Sequence, residues 1–255
     1  MGMNDLNLAP VQKPGDSFLS PLITDSGAIK TLGRRKSTSF NFKTIHKADL
    51  EEEITKGWEI FKDGKKNVKV KKQKTHDTLL EDRVWCLFEK MGYTQMNGDK
   101  FNISFTRDDG SIGKKQIDVF ACDEETALVV ECKSKEKRGR RTLQKDLHET
   151  IFLQDYIRKT IFKYYSGKPL PKIVWIYATD NIIWSEPDVE RATDGNIIII
   201  TENEIQYFEA FLKHMGSAGK YQILSEFLKN QKIPGITDVK MYRDSIHLTL
   251  PPLAG

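Results

Sequence analysis

Long apolar runs are missing from this sequence, and their absence excludes an ordinary membrane-spanning protein. No apolar stretch approaches the roughly 20 residues that a helix needs to cross a bilayer, so no membrane partner is expected. The segment from Met1 to Leu6 has no basic region followed by an apolar one, which is how a secretory signal begins. We therefore expect a cytoplasmic protein.

Cysteine and histidine are too few and too scattered to form a disulfide framework or a zinc site. The 3 cysteines stand in apolar segments without a CxxC spacing, which predicts reduced thiols in the core. The 5 histidines form neither an HxH nor an HExxH pattern. A glycine-rich phosphate loop is also absent, so ATP is not an expected ligand.

Positive charge is only slightly in excess, but it is clustered. The formal net charge is +4, from 40 Lys and Arg against 36 Asp and Glu. Basic clusters can follow a phosphate backbone, so we expect a nucleic-acid partner, although a charge run taken alone also fits a solvated loop. The candidate nucleic-acid-binding residues are Lys71 and Lys72 in one cluster, and Lys135, Lys137, Arg138, Arg140 and Arg141 in the other.

The pattern of residue types divides the chain into three parts. Residues 1–43 are rich in Gly, Pro, Ser, Thr and Asn without a sustained period, which predicts a flexible N-terminal arm. Residues 44–235 alternate strand and helix patterns, as expected for one α/β domain with helices packed on a mixed central sheet. Residues 236–255 form a C-terminal tail with a candidate hairpin.

Two local patterns in the domain lead to specific predictions. Val68 and Val70 alternate with lysines, which favours an edge strand whose charges discourage further pairing. The clearest helix begins after a cap at Thr75 or Asp77 and ends at Gly92. Its buried stripe consists of Leu80, Val84, Leu87, Phe88 and Met91.

The chemistry of the chain is concentrated in two neighbouring strands, residues 116–122 and 127–133. Side chains alternate along a strand, so Glu131 and Lys133 share one face and Cys132 points to the other. If the strands pair, Asp118 stands beside them. Buried carboxylates need a partner, and a divalent cation takes carboxylate oxygens, so the set suits metal-assisted hydrolysis of a phosphodiester.

The spacing of Asp118 and Glu131-Cys132-Lys133 resembles the D…ExK signature of the PD-(D/E)xK nuclease superfamily, which has the restriction-endonuclease-like fold. Ile117 occupies the position of the family's proline. The family often carries a further glutamate on the preceding helix, and Glu81 matches it. Segments 81–85, 115–121 and 131–134 also resemble the nuclease-like region of DGQHR-motif proteins, although that motif is absent here.

The resemblance implies a three-layer sandwich and a metal-dependent nuclease, expected to be a DNA endonuclease of a DNA-modification or phage-defence system. It further implies Mg²⁺ or Mn²⁺ bound by Asp118, Glu131, the backbone carbonyl of Cys132 and Glu81. Lys133 would orient the attacking water. Either a homodimer or a partner subunit of a defence system would fit these expectations.

Three other interpretations remain open from the residues alone. Glu131 and Lys133 could form a structural ion pair, with Asp118 in a turn. The chain could be a nucleic-acid-binding module that keeps the fold without the metal. It could also be a protein-interaction subunit of a defence complex, in which case the basic clusters would tolerate charge reversal.

Overall fold

The computed structural model describes residues 18–165, 171–219, 238–242 and 245–249. Strands and helices alternate along the chain. The helices of the described residues are α1 (Ser26–Lys36), α2 (Leu50–Thr55), α3 (His76–Met91), α4 (Gln144–Tyr164), α5 (Glu186–Asp194) and α6 (Glu202–Met215). Their strands are β1 (Leu19–Ile23), β2 (Phe40–His46), β3 (Glu59–Asp63), β4 (Asn67–Gln73), β5 (Gln95–Thr106), β6 (Ile112–Gln116), β7 (Val119–Cys122), β8 (Thr126–Arg140), β9 (Lys172–Ile183), β10 (Ile197–Ile200), β11 (Asp238–Tyr242) and β12 (Ser245–Thr249).

The central sheet is mixed, as predicted. Its strand order is β1-β5-β7-β8-β9-β10, with β6 paired to β5. The pairs from β1 to β8 are antiparallel, whereas β8, β9 and β10 run parallel. The parallel part requires crossover connections, and α4 and α5 supply them.

Helices cover both faces of this sheet, which confirms the α/β three-layer sandwich. On β8, Leu128 and Val130 face a core that contains residues of α1, α3 and α6. The alternate residues, Ala127 and Val129, face a second core that contains residues of α4 and α5. The period-two alternation of a strand therefore divides the sequence of β8 between two separate cores.

Helix α3 forms as its sequence predicts. The side chain of Thr75 caps it by accepting a hydrogen bond from the backbone N–H of Thr78, at 3.3 Å. Gly92 ends it in the left-handed conformation, with φ of 92°, where glycine has no steric penalty. The predicted apolar stripe is buried, so α3 is fixed along its length against the sheet.

The part of the predicted flexible arm from residue 19 onward is instead structured, which corrects that prediction. Strand β1 pairs with β5, and Leu19 is fully buried there. Asp25 caps α1 by accepting a hydrogen bond from Ala28 N–H at 2.7 Å, and Ile29 and Leu32 pack in the core of α3. The sequence predicted a flexible arm because this segment is mostly polar and has few apolar residues to bury.

A second, three-stranded sheet has the order β2-β4-β3, so β4 is its middle strand and not the predicted edge strand. Val68 and Val70 are completely buried on one face of β4. The alternation of valine and lysine reflects one covered and one open face rather than a free edge.

The predicted C-terminal hairpin is present as the antiparallel pair β11 and β12. The sequence also favours a last helix over residues 219–231, but this segment lies almost entirely outside the described residues. Within the described part of the chain, no helix combines the length and apolarity needed to span a membrane.

The side chain of Lys74 links the segment after β4 to the end of α1 through an ion pair and hydrogen bonds. Its side chain is 2% exposed and lies 2.8 Å from the carboxylate of Asp82, which also pairs with Lys36 at 2.5 Å. The same ammonium donates to the carbonyl oxygens of Lys36 and Thr38, at 3.0 and 2.6 Å. These acceptors lose a buried donor if the lysine is removed.

We predict that Lys74→Met lowers the free energy of unfolding by about 3 kcal/mol, because breaking a buried charged network leaves its partners unsatisfied. Urea unfolding followed by circular dichroism measures the loss. The matched control is Lys56→Met, which removes the ion pairs of an exposed lysine with Glu52 and Glu53 and should change the free energy of unfolding far less. Equal losses for the two variants would contradict a structural role of Lys74.

Candidate active site

The sequence had predicted that Asp118 lies within a continuous strand. In the structure it lies instead at a bend between β6 and β7. The buried side chain of Asn97 holds this bend. Its Nδ2 donates to the carbonyl of Asp118 at 3.1 Å, and its Oδ1 accepts from Phe120 N–H at 2.9 Å. The backbone N–H of Cys132 donates to Asp118 Oδ2 at 2.8 Å. The carboxylate is therefore held against β8.

The pairing of β7 with β8 brings Asp118 and Glu131 together. Val119 pairs with Val130, so Asp118 and Glu131 occupy the next positions on the two adjoining segments. Lys133 Nζ lies 3.3 Å from Glu131 Oε2, which confirms that these two side chains share a face. Cys132 points to the opposite face, into the core that contains α3.

Lys115 is a site residue that had not been predicted from the sequence. Its Nζ lies 3.6 Å from Glu131 Oε1 and 3.0 Å from Glu149 Oε1. The lysine belongs to β6, which pairs with β5, and its side chain reaches the carboxylate of Glu131 from there. Its nearness to Asp118 in sequence was the available signal, but spacing alone does not distinguish it from its neighbour Lys114.

The carboxylate of Glu131 is buried, and its hydrogen bonds and ion pairs do not satisfy both of its oxygens. Its Oε1 atom has no hydrogen-bond partner among the described residues, although Lys115 lies within ion-pair distance. A small cavity of about 10 Å³, which holds about one water molecule, adjoins Glu131 and is also lined by Thr150 and Tyr177. Burial and the nearby charge of Asp118 raise the pKa of Glu131 to about 7.

Glu81 approaches the site from α3, on the opposite side of the sheet from Lys133. Burial, followed by the charge of Asp118, raises the pKa of Glu81 to about 7. Burial likewise raises the pKa of Asp118. The neighbouring Asp82 pairs with Lys36 and Lys74, so it does not belong to the site.

A hydrogen-bonded group at the start of α3 extends the acidic region. Ser134 Oγ donates to Asp77 Oδ1 at 2.5 Å, and His76 Nδ1 lies 2.7 Å from the same hydroxyl. The charge of Asp77 contributes to the raised pKa values of Glu81 and Asp118. Sequence reasoning had considered Asp77 only as a helix cap, because its contact with β8 is a tertiary one.

The residues present fit a cation held partly by protein and partly by water. Within the described residues, no three His, Cys, Asp or Glu side chains are arranged to hold a metal ion by themselves. Asp118 and Glu131 lie side by side on adjoining segments, the main chain of Cys132 next to Glu131 contacts Asp118, and Glu131 Oε1 lacks a hydrogen bond. This donor set of hard oxygens suits Mg²⁺ or Mn²⁺, which usually keep several waters.

The predicted basic residues fall into two separate places. Lys135 to Arg140 continue β8 and do not form the solvated loop that a charge run also fits; the strand resumes pairing with β9 after an irregularity between Ser134 and Gly139. Lys135 donates to the carbonyl of Arg140, and Arg141 donates to that of Ser134. The more exposed members of this set are Lys137, Arg138 and Arg140.

The other predicted basic residues, Lys71 and Lys72, lie on β4 in the second sheet, where they point to opposite faces. Lys72 donates to the carbonyl of Lys56 at 2.6 Å, and Lys71 lies 3.5 Å from Glu59. They therefore belong to a different sheet from the basic end of β8.

No protein-family model matches this chain, and no curated protein matches it. The solved structures similar to it include protein VC1899 from Vibrio cholerae, with 14% identity, a TM-score of 0.38, and coverage of 76% of this chain and 52% of that one. They also include Can2 from Sulfobacillus thermosulfidooxidans in complex with cyclic tetra-adenylate, with 12% identity, a TM-score of 0.37, and coverage of 74% and 50%. The chain thus spans about half the length of either structure, and similarity this weak carries no functional argument.

We predict that Glu131→Gln stabilises the metal-free protein at pH 8 and has little effect at pH 5. A carboxyl whose pKa is raised on folding destabilises the fold wherever the unfolded chain is ionised, so its cost grows as the pH rises from the unfolded pKa to about 7 and stays constant above that. The gain at pH 8 should be on the order of 2 kcal/mol.

Thermal unfolding in EDTA at the two pH values measures this effect. Glu149→Gln is the matched control, because that carboxylate also contacts Lys115 but its side chain is 49% exposed. A Glu131→Gln variant that is less stable than the wild type at pH 8 would show that the ion pairs with lysine outweigh the cost of burial.

Proposed function

We propose that this protein is a metal-dependent nuclease, a DNA endonuclease that hydrolyses phosphodiester bonds. Asp118, Glu131 and the carbonyl of Cys132 would hold Mg²⁺ or Mn²⁺, and Glu81 would contact the ion's water shell. The observation that carries the proposal is the buried Glu131 oxygen without a hydrogen bond, next to a second carboxylate. A divalent cation, when bound, polarises the scissile phosphate and lowers the pKa of a water molecule.

Electrostatics supports a cation at this point. The pKa values of Glu81, Asp118 and Glu131 are all raised, so their ionised forms are disfavoured in the metal-free protein. A positive ion would favour ionisation of all three groups. A cluster whose charge is costly in the absence of a ligand is typical of a functional site.

Lys133 is suited to act on the reacting groups. It lies beside Glu131 and 4.0 Å from Asp146, and these charges together raise its pKa against the effect of burial. It therefore stays protonated at neutral pH and can donate a hydrogen bond to water or to a phosphate oxygen. A fixed positive charge there would stabilise the negative charge that develops during hydrolysis. Lys115 would hold Glu131 in position from the other side.

The exposed basic end of β8 supports a polynucleotide substrate. Lys137, Arg138 and Arg140 follow Lys133 on the same strand, so phosphates bound there would lead toward the carboxylates. DNA as the polymer and a DNA-modification or phage-defence setting rest on the resemblance of the sequence segments. A homodimer or a partner subunit would complete the substrate-binding surface.

One observation favours a second function, a nucleic-acid-binding module without catalysis. Lys115 and Lys133 both lie within 3.6 Å of Glu131 carboxylate oxygens, so two ammonium groups already offset part of its charge. Such a module would keep the basic strand and bind no Mg²⁺ or Mn²⁺. Metal binding therefore distinguishes the two functions.

We predict that Lys133→Ala reduces DNA cleavage at least about 100-fold while changing DNA affinity less than about twofold, because the lysine acts on the transition state. Nicking of supercoiled plasmid with Mg²⁺ or Mn²⁺ measures cleavage, and a gel shift in EDTA measures affinity. Lys159→Ala is the control, since that side chain is 70% exposed on α4. Unaltered cleavage by Lys133→Ala would remove this residue from the mechanism.

We also predict that Mn²⁺ raises the melting temperature of the wild type and that the increase grows from pH 6 to pH 8. The ligands must be ionised, and the pKa of Glu131 lies at about 7, so affinity rises as pH passes that value. At a concentration 100 times the Kd the stabilisation would be about 2.7 kcal/mol. Differential scanning fluorimetry measures it.

Asp118→Asn should abolish the Mn²⁺ effect, whereas Asp155→Asn, in an exposed carboxylate on α4, should keep it. A wild-type protein that shows no shift with either ion at pH 8 would favour the non-catalytic module.

A further inference from the structure

The second sheet exposes one face to solvent, and that face combines aromatic rings with lysines. On its middle strand, Val68 and Val70 are completely buried, so Lys69 and Lys71 lie on the opposite, open face. The register pairs Lys71 with Phe42, which places the aromatic residues of β2 on the same open face. We call this surface, formed by Phe40, Phe42, Phe61, Lys69 and Lys71, the aromatic face.

Its rings are arranged side by side and remain accessible. The rings of Phe42 and Phe61 meet edge to face, with centroids 5.1 Å apart. Phe61 is 54% exposed, and Phe40 and Phe42 are partly exposed. Exposure of a phenylalanine ring to water is unfavourable, and the buried apolar residues of this sheet lie on its opposite face. The rings are therefore available to a flat apolar partner.

The lysines are held over these rings. Lys69 Nζ lies 5.0 Å from the ring centroid of Phe42 and 5.5 Å from that of Phe61. Lys71 Nζ lies 4.7 Å from the ring of Phe40. Cation–π contacts at these distances hold ammonium groups at the level of the ring faces. A base that stacks on these rings would therefore displace the ammonium groups from the ring faces, and they would then stand beside its phosphates.

We propose that the aromatic face binds single-stranded DNA, with unpaired bases against the phenylalanine rings and the backbone phosphates on Lys69 and Lys71. Every base has a flat π-face, and stacking on aromatic side chains together with lysine contacts to phosphate is how single strands are bound without sequence preference. A duplex keeps its base faces stacked on one another. A protein partner fits less well, because lysine is depleted at the centres of protein interfaces.

The position of the aromatic face relative to the candidate active site is consistent with this ligand. Only residues 74 and 75 separate β4 from α3, the helix that carries Glu81. At the start of α3, Asp77 is hydrogen-bonded to Ser134, which precedes the basic end of β8. The second sheet and the basic end of β8 are therefore both connected to the first turn of α3. The choice of DNA, and the use of the face to hold a strand of the substrate, rest on the proposed nuclease function; binding itself does not.

Binding is measured by fluorescence anisotropy with a labelled 15-nucleotide mixed-sequence DNA strand in EDTA, so that cleavage does not interfere. We expect Phe61→Ala to weaken binding at least about fivefold, as for loss of one stacked base. Phe152→Ala is the matched control, because that ring is 66% exposed on α4, and it should leave affinity within about twofold. Circular dichroism checks that both variants fold.

The charge contribution is measured with Lys69→Gln against Lys213→Gln, an exposed lysine on α6. Lys69→Gln should weaken binding and flatten its dependence on salt, since a phosphate contact releases a counterion. A duplex of the same sequence should lose no more affinity with Phe61→Ala than with Phe152→Ala. This duplex arm separates the aromatic face from the basic strand.

Three results would overturn the proposal. The first is a Phe61→Ala variant that binds the single strand as tightly as Phe152→Ala. The second is tighter binding of an RNA strand of the same sequence, which would remove the assignment to DNA. The third is a change in sedimentation with Phe61→Ala that leaves oligonucleotide affinity unaltered, which would make the face a protein contact. A wild-type protein that binds the strand through this face but cleaves nothing would contradict only the proposed nuclease function.

Discussion

Two carboxylates placed side by side, one just before β7 and one within β8, are the constraint on which the site depends. Asp118 and Glu131 are both shielded from water, and their charges repel each other. The surrounding structure offsets part of this cost with the Cys132 amide and the ammonium groups of Lys115 and Lys133. The compensation is incomplete at one Glu131 oxygen, and a buried polar atom without a partner calls for an explanation.

Helix α3 connects the features that matter for function. One of its sides packs in the core with α1 and α6, and its first turn bonds to β8 through Asp77 and Ser134. The chain enters α3 directly from the second sheet, whose open face carries aromatic rings and lysines. The same helix thus carries part of the acidic cluster and follows directly on the sheet that carries the aromatic face.

Much of the fold could be predicted from periodicity and capping. The stripe and caps of α3 and the alternation within β8 follow from local rules, and the structure agrees. The role of β4 in the second sheet could not be predicted this way, because valine and lysine alternate identically on an edge strand and on a middle strand with one open face. The early strand and helix were missed since their few apolar anchors stand among polar residues.

The candidate site divides in the same manner. Sequence alone determined the order of chemical groups, the shared face of Glu131 and Lys133 and the clustering of positive charge, because these depend on strand alternation and spacing. Tertiary structure decided that Lys115 reaches Glu131, that Asn97 holds the bend at Asp118, and that Lys71 lies among aromatic rings far from the basic end of β8 in the chain. Contacts of this kind depend on which strands pair and in which register, and local sequence patterns carry little information about partners distant in the chain.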